Sequence, residues 1–310
     1  MARGECLLLS SKRKLNKKSE QRASAPHVGA EVSSSSEIAQ GLSIEEMVEK
    51  AKKLRRHIIT MTARVGSGHC GGSLSSVELV TALFFHELRH DPHNPRWPDR
   101  DRFVLSKGHA APLLYAALAE TGYLPVAELI TLRQLGSRMQ GHTDMITTPG
   151  VEMSAGALGQ GLSFGIGIAL AGRLDGRDYR VYVLLGDGEC NEGQVWEAAM
   201  AAAHYKLDNI VAIIDRNRQQ IDGWTCDVMD TEPFPEKWRS FGWHTIECDG
   251  HDLAQIITAL SEAKAIEGKP TVIIAHTVKG KGVSFMENNL HFHGTAPTAE
   301  EAERALKELE

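Results

Sequence analysis

Arg180-Val-Tyr-Val-Leu-Leu185 runs straight into Gly186-Asp-Gly-Glu189, and a second run, Asn209-Ile-Val-Ala-Ile-Ile214, leads into Asp215-Arg-Asn217. Both are short, continuously apolar and rich in β-branched residues, the pattern of strands buried on both faces. Residues 192–204, between them, read as a helix. Two more apolar runs follow at 244–247 and 271–275, separated by a helix over 252–267. Strands alternating with helices imply a mostly parallel sheet covered on both faces, an α/β fold in three layers, α, β and α.

Upstream, Ser43-Ile-Glu-Glu46 is a capping box that opens a helix running to about residue 64. Further helices are expected at 75–87, 112–121, 125–135, 158–174 and 298–309, and a short buried strand at 103–106. The 158–174 helix holds Gly159, Gly161, Gly165 and Gly167. So many glycines weaken a helix unless something packs very close to it. Gly159-x-Gly161 also lacks the third glycine and the preceding strand of a nicotinamide-binding fingerprint. Residues 1–42 are rich in Ser, Lys and Arg, show no periodicity, and are expected to be a disordered tail. A basic, Ser-rich leader would suit a transit peptide, but Glu5, Glu20, Glu31 and Glu37 break the acid-poor pattern. Residues 43–310 are expected to form one domain.

Composition narrows the function classes. With a net charge of −6 and 42% hydrophobic residues, the 310-residue chain resembles an ordinary soluble enzyme. The charge gives no reason to expect nucleic acid or an anionic membrane as partner. No apolar run reaches the roughly 18 residues of a membrane helix. The five cysteines are odd in number, widely spaced and free of Cys-x-x-Cys, which argues for a reduced, cytoplasmic protein without a thiolate metal site.

In open parallel sheets, ligands sit at the carboxyl ends of the strands. Asp187 follows one strand and Asn217, thirty residues later, follows the next. If those strands are neighbours, both oxygen ligands face one crevice. Magnesium takes oxygen ligands in near-octahedral geometry at about 2.0–2.1 Å and is commonly shared with phosphates. A carboxylate, an amide oxygen, a backbone carbonyl, two phosphate oxygens and a water would complete that shell. Gly186 and Gly188 would let the backbone approach a diphosphate, and the helix from 192 would aim its positive end there. A lone Gly-Asp-Gly is as readily a structural turn. Gly-Asp-Gly and a downstream Asn, each closing a buried strand, resemble the signature of thiamine-diphosphate-binding families.

From about 43 to 293 the chain resembles the diphosphate-binding half of transketolases. The matching segments are Gly66-Ser-Gly-His-Cys-Gly-Gly-Ser73, Asp99-Arg-Asp-Arg-Phe-Val-Leu-Ser-Lys-Gly-His-Ala110, Thr148-Pro-Gly-Val-Glu-Met-Ser-Ala-Gly-Ala-Leu-Gly-Gln-Gly161, Gly186-Asp-Gly-Glu-Cys-Asn-Glu-Gly193 and Val278-Lys-Gly-Lys-Gly282. The resemblance implies a thiamine-diphosphate-binding fold and transfer of a two-carbon ketol unit from a ketose phosphate to an aldose phosphate. It implies Asp187, Asn217 and the carbonyl of Gln219 as Mg2+ ligands. It implies His69, His109, His142 and His293 along the channel to the thiazolium ring. His142 would meet the donor sugar's hydroxyl and His69 the substrate oxygen, with His109 and His293 near the diphosphate and the reacting centre. Gly156 and Leu158 would pack on the pyrimidine side, Glu192 would join a carboxylate relay across the subunit interface, and Lys279 would neutralise phosphate. Imidazoles suit proton transfer to sugar hydroxyls near neutral pH.

Full-length transketolases are roughly twice as long, and their second domain supplies the glutamate that protonates the aminopyrimidine. Nothing after Gly282 reads as that domain. The resemblance therefore implies a separate C-terminal subunit, in an α2β2 assembly, without which the chain is inactive. Three departures stand out: Thr143-Asp144 after His142 where proline is common, which leaves that loop less fixed; Ala157; and Cys70, a packing residue beside His69. Two other readings compete, the α subunit of a 2-oxo acid dehydrogenase and a non-catalytic cofactor-binding protein. The physiological sugar pair stays open among pentose phosphates and branched, acidic or sulfonated sugars.

Overall fold

The computed structural model describes residues 41–310, which lie in one compact unit; the tail expected over 1–42 falls almost wholly outside the described residues. The helices are α1 (Ile44–Val65), α2 (Cys70–Leu74), α3 (Val77–Ala82), α4 (Ala111–Glu120), α5 (Gln160–Leu174), α6 (Gly193–His204), α7 (Thr225–Val228), α8 (Phe234–Ser240), α9 (Leu253–Ala265) and α10 (Ala299–Glu308). The strands are β1 (Arg102–Leu105), β2 (Val181–Gly186), β3 (Ile210–Arg216), β4 (Gln219–Gln220), β5 (Gly223–Trp224), β6 (His244–Asp249) and β7 (Thr271–His276).

Five strands form one sheet in the order β1-β2-β3-β7-β6, every pair parallel. Successive side chains on a strand point to opposite faces, and both faces are buried. Val181, Val183, Leu185, Ile210, Ala212 and Ile214 face α5, α6 and α8, while Tyr182, Leu184, Val211 and Ile213 face α1, α3, α4 and α9. The three-layer α/β architecture read from the sequence is the one observed.

Local signals explain most elements. The Ser43/Glu46 capping box is formed, and a second one, Thr298 with Glu301, opens α10. In α5 a Cβ on Gly161 would collide with Ser106, and one on Gly165 would lie 2.6 Å from Val183 Cγ2. Those glycines let the helix backbone sit directly on β1 and β2, which is the close packing their number called for.

Two expected helices differ. The 75–87 helix starts two residues late, as α3, and ends in a π-helical turn, Leu83–Glu87; a break at Ser75 and Ser76 separates it from α2. The break brings Ser75 and Ser76, both buried, inward as hydrogen-bond partners of Asp215 and Lys107. The 125–135 helix shrinks to a 3-10 segment, Val126–Thr131, after which Arg133 takes a left-handed conformation (φ 57) and its amide donates to the Met139 carbonyl at 2.7 Å.

Candidate active site

Four strand ends meet at one edge of the sheet. Leu105 pairs with Leu184, Gly186 with Asp215, and Asp215 with Ala275. The next residues out are therefore Lys107 and His109 after β1, Asp187 and Glu189 after β2, Asn217 after β3, and Thr277 and Lys279 after β7. Asp187 and Asn217 do leave neighbouring strands on the same side.

Asp187 is buried. Its Oδ1 accepts from the Gly188 amide at 2.8 Å and its Oδ2 from the Arg218 amide at 2.5 Å, stitching the two loops together. Arg218 has φ 63, which folds the chain back into the β4–β5 hairpin. Asn217 Nδ2 donates to Asp215 at 2.9 Å, while its Oδ1 accepts from the Gln219 amide at 3.1 Å, so the orientation of the amide is fixed. A Cβ on Gly188 would lie 2.9 Å from Gln220 Cβ, so glycine is needed there for the hairpin to lie against the loop. Gly186 is different: the atoms nearest an added Cβ are at 3.8 Å or beyond, an ordinary contact.

Electrostatics divides the two aspartates. Burial, then the nearby Asp215 charge, pushes the Asp187 carboxyl up to about 7. Burial would raise Asp215 too, but the Lys107 ammonium and hydrogen bonds from Lys107, Thr277 and Ser75 hold it down at about 2. Lys107 also donates to the Gly72 carbonyl at 2.7 Å and to Ser76 Oγ at 2.8 Å. Glu189 is buried, its carboxyl raised by that burial, and it accepts from the Gly159 amide at 2.8 Å, from the Gly186 amide at 3.0 Å and from Ser106 Oγ. Lys107, Glu189 and Asp215 were not singled out from the sequence. The available signal was a charged residue at each end of an apolar strand, where burial without a partner is costly.

The four histidines converge from separate segments. The His69 ring centroid lies 5.2 Å from that of His109, 6.2 Å from His142 and 5.7 Å from His293, and His109 and His293 are 5.5 Å apart. Burial, aided by Arg133, His142 and Lys279, drives His69 down to about 4. Burial, aided by Lys279, His69 and Lys107, drives His293 down to about 4 as well. Burial lowers His109 well below its ordinary value, and His142 is lowered by burial and by Arg133. The imidazoles are therefore neutral donors and acceptors at pH 7, where the sequence alone suggested groups titrating there. His69 Nδ1 is buried without a partner. Lys279 Nζ sits 2.7 Å from His293 Nδ1, and burial lowers its amine to about 8.

All thirteen residues singled out from the sequence line one cavity of about 390 Å³, together with Gly72, Lys107, Glu189, Asn191, Gln220 and Ile221. Glu192 is on the exposed rim as the N-cap of α6, with no capping hydrogen bond from its side chain. Leu158 is held by Gln194 Nε2, which donates to its carbonyl at 3.2 Å. The loop at His142 is better fixed than expected. Thr143 Oγ1 donates to the Met153 carbonyl at 3.2 Å, and the Asp144 carboxylate accepts from Ile146, Thr147 and Ser154. Cys70 is buried and its thiol is pushed up to about 11 by that burial, in keeping with a packing role.

The donors suit a hard cation with phosphate. Among the described residues no three His, Cys, Asp or Glu side chains group to hold a metal on their own. The available ligands are one carboxylate, one amide oxygen and the carbonyl of Gln219, whose buried Oε1 is also unpartnered. Such a set leaves coordination positions for phosphate oxygens.

Residues 45–309 match the family model described as "Transketolase, thiamine diphosphate binding domain". The chain belongs to the transketolase family. It is 46% identical over 265 residues to the 6-deoxy-6-sulfo-D-fructose transketolase subunit SqwG of Clostridium sp. (strain MSTE9), covering 86% of this chain and 96% of that one. It is 43% identical over 268 residues to an apulose-4-phosphate transketolase subunit of Phocaeicola vulgatus, covering 86% and 95%. The crystal structure of transketolase from Campylobacter jejuni superposes with a TM-score of 0.83 at 35% identity, over 86% of this chain and 43% of that one. The fold is thus that of the thiamine-diphosphate-binding half of a transketolase, and the chain is a transferase of that family. The match decides against a 2-oxo acid dehydrogenase subunit.

Proposed function

We propose that this chain is the diphosphate-binding subunit of a two-subunit, magnesium-dependent transketolase that moves a two-carbon ketol unit between sugar phosphates. The observation that carries this reading is a contrast in coverage. The chain spans nearly all of relatives named as subunits but 43% of the longer Campylobacter transketolase. A separate C-terminal subunit, in an α2β2 arrangement, would cover the exposed side of the cavity at Glu192 and complete the site.

Asp187, Asn217 and the Gln219 carbonyl would hold Mg2+ on the diphosphate, with Lys279 adding positive charge. Thiamine diphosphate supplies the electron sink for breaking and forming the carbon–carbon bond. The chain's own part is binding, orientation and proton handling. Being neutral, His69 would exchange a hydrogen bond or proton with a substrate oxygen. His142 at the mouth would meet the donor sugar's hydroxyl, and His109 and His293 would sit by the reacting centre. Gly156 and Leu158 would form the wall on the pyrimidine side, and Glu192 would join a carboxylate relay with the partner. The presence of every metal ligand and all four histidines in one cavity supports catalysis over a scaffold role. Among the described residues no helix is long and apolar enough to cross a membrane, and four cysteines are unpaired. The test is ketol transfer from xylulose 5-phosphate by the purified chain, alone and mixed with a C-terminal transketolase subunit. Activity only in the mixture is expected; full activity of the chain alone would refute the split.

A further inference from the structure

Lys279 reaches the cavity from a loop whose two flanks are held from behind by one carboxylate. The Val278 amide donates to His251 Nε2 at 2.8 Å, and the Lys281 carbonyl accepts from Arg55 Nε at 3.1 Å. A backbone amide can only donate, so His251 Nε2 carries the lone pair and Nδ1 the proton. That Nδ1 faces Glu78 Oε2 at 3.1 Å, and Glu78 Oε1 accepts from Arg55 Nη2 at 2.6 Å. The buried Glu78 on α3 therefore orients both groups that grip the loop, Arg55 from α1 and His251 from the turn before α9. The fit is close on that side: a Cβ on Gly282 would lie 2.7 Å from Arg55 Nε.

We infer that His251, held by Glu78 and Arg55, is a positioning residue that clamps the 278–281 backbone and so aims Lys279 into the diphosphate cavity. The inference deepens the proposed function and rests on the reading that the cavity holds a diphosphate. His251 is not among the residues lining the diphosphate cavity. It opens onto a separate pocket of about 510 Å³ between α1 and the start of α9. Its action is to accept one hydrogen bond in one tautomer.

The full-length chain is titrated calorimetrically with inorganic pyrophosphate and Mg2+, a probe that needs no partner subunit. Exchange of the Val278 amide is followed by mass spectrometry. His251→Ala should speed that exchange and weaken pyrophosphate binding about tenfold, the size of one lost hydrogen bond at the upper end of its range. His251→Gln, which restores an acceptor toward Val278, should recover most of the affinity. In a Lys279→Met background His251→Ala should add nothing, because both changes act through the same amine. If His251→Ala does not fold, His251→Asn, which keeps a donor toward Glu78 but no acceptor at Val278, makes the same comparison. Binding by the variant equal to wild type, or additive losses in the double variant, overturns the clamp alone. A wild-type chain that does not bind Mg2+ and pyrophosphate overturns the diphosphate reading and the clamp with it.

Discussion

Asp187→Asn separates the electrostatic reading of the site from its geometry. The folded, metal-free chain raises the Asp187 carboxyl from 3.8 to about 7, by burial and by the Asp215 charge. At about 1.4 kcal/mol for each tenfold change in proton affinity, ionising this side chain costs the folded chain about 4 kcal/mol. Because the folded value lies above the unfolded one, the stability Asp187 contributes is full below about pH 4 and is lost as pH rises through 7. About 2 kcal/mol of that loss falls between roughly pH 5.5 and 8. Asparagine cannot ionise and keeps an oxygen for the Gly188 amide. Its NH2 would oppose the Arg218 amide, at a pH-independent cost of about 1–3 kcal/mol. The absolute difference between variant and wild type at one pH is therefore not the test. The test is the slope. Urea unfolding without divalent cations should show Asp187→Asn gaining about 2 kcal/mol on wild type from roughly pH 5.5 to 8. Adding Mg2+ and pyrophosphate at about 100 times Kd should then stabilise wild type by about 2.7 kcal/mol and the variant not at all. A difference that stays flat with pH would falsify the claim that burial resists ionisation of this carboxyl.

The Lys107–Asp215 pair should be structural as well as electrostatic: Lys107→Met leaves a fully buried carboxylate unpaired and should cost about 3–5 kcal/mol in urea unfolding. Loss below about 1 kcal/mol would mean that Asp215 finds its compensation elsewhere. Gly188→Ala should cost about 1–3 kcal/mol and weaken pyrophosphate binding by displacing the β4–β5 hairpin. Gly186→Ala, with room for its Cβ, should stay within about 0.5 kcal/mol of wild type in thermal melts. Because His69 and His293 are held near 4, kcat/KM of the reconstituted enzyme should show no limb from either of these two imidazoles between pH 5.5 and 7.5. A limb near pH 6.5 that vanishes in His69→Gln would contradict the burial argument.

Much of the site was legible because the chemistry stands in short segments. Asp187, Asn217 and Gln219 are placed by the ends of two apolar strands, and strand ends are visible in local composition. Lys107, Asp215 and Glu189 escaped notice because each looks like an ordinary charged residue until its partners, at sequence separations from 30 to 140, are known. The start of the 75–87 helix was misplaced by two residues for a related reason. Its apolar spacing is helical, but Ser75 and Ser76 are needed by the buried Lys107–Asp215 pair, and those tertiary hydrogen bonds outweigh local propensity.

The order of strands and helices, the capping boxes, the glycine-rich helix and the family's diphosphate signature were all determined by the sequence itself. They depend on neighbours within a few residues, where periodicity and backbone stereochemistry act. The family resemblance already implied four imidazoles along one channel; only the tertiary structure decided how closely they approach, that they are neutral there, and that two aspartates at adjacent strand ends hold opposite protonation tendencies. Desolvation and Coulomb energy depend on everything packed around a group, and that packing comes from the whole chain.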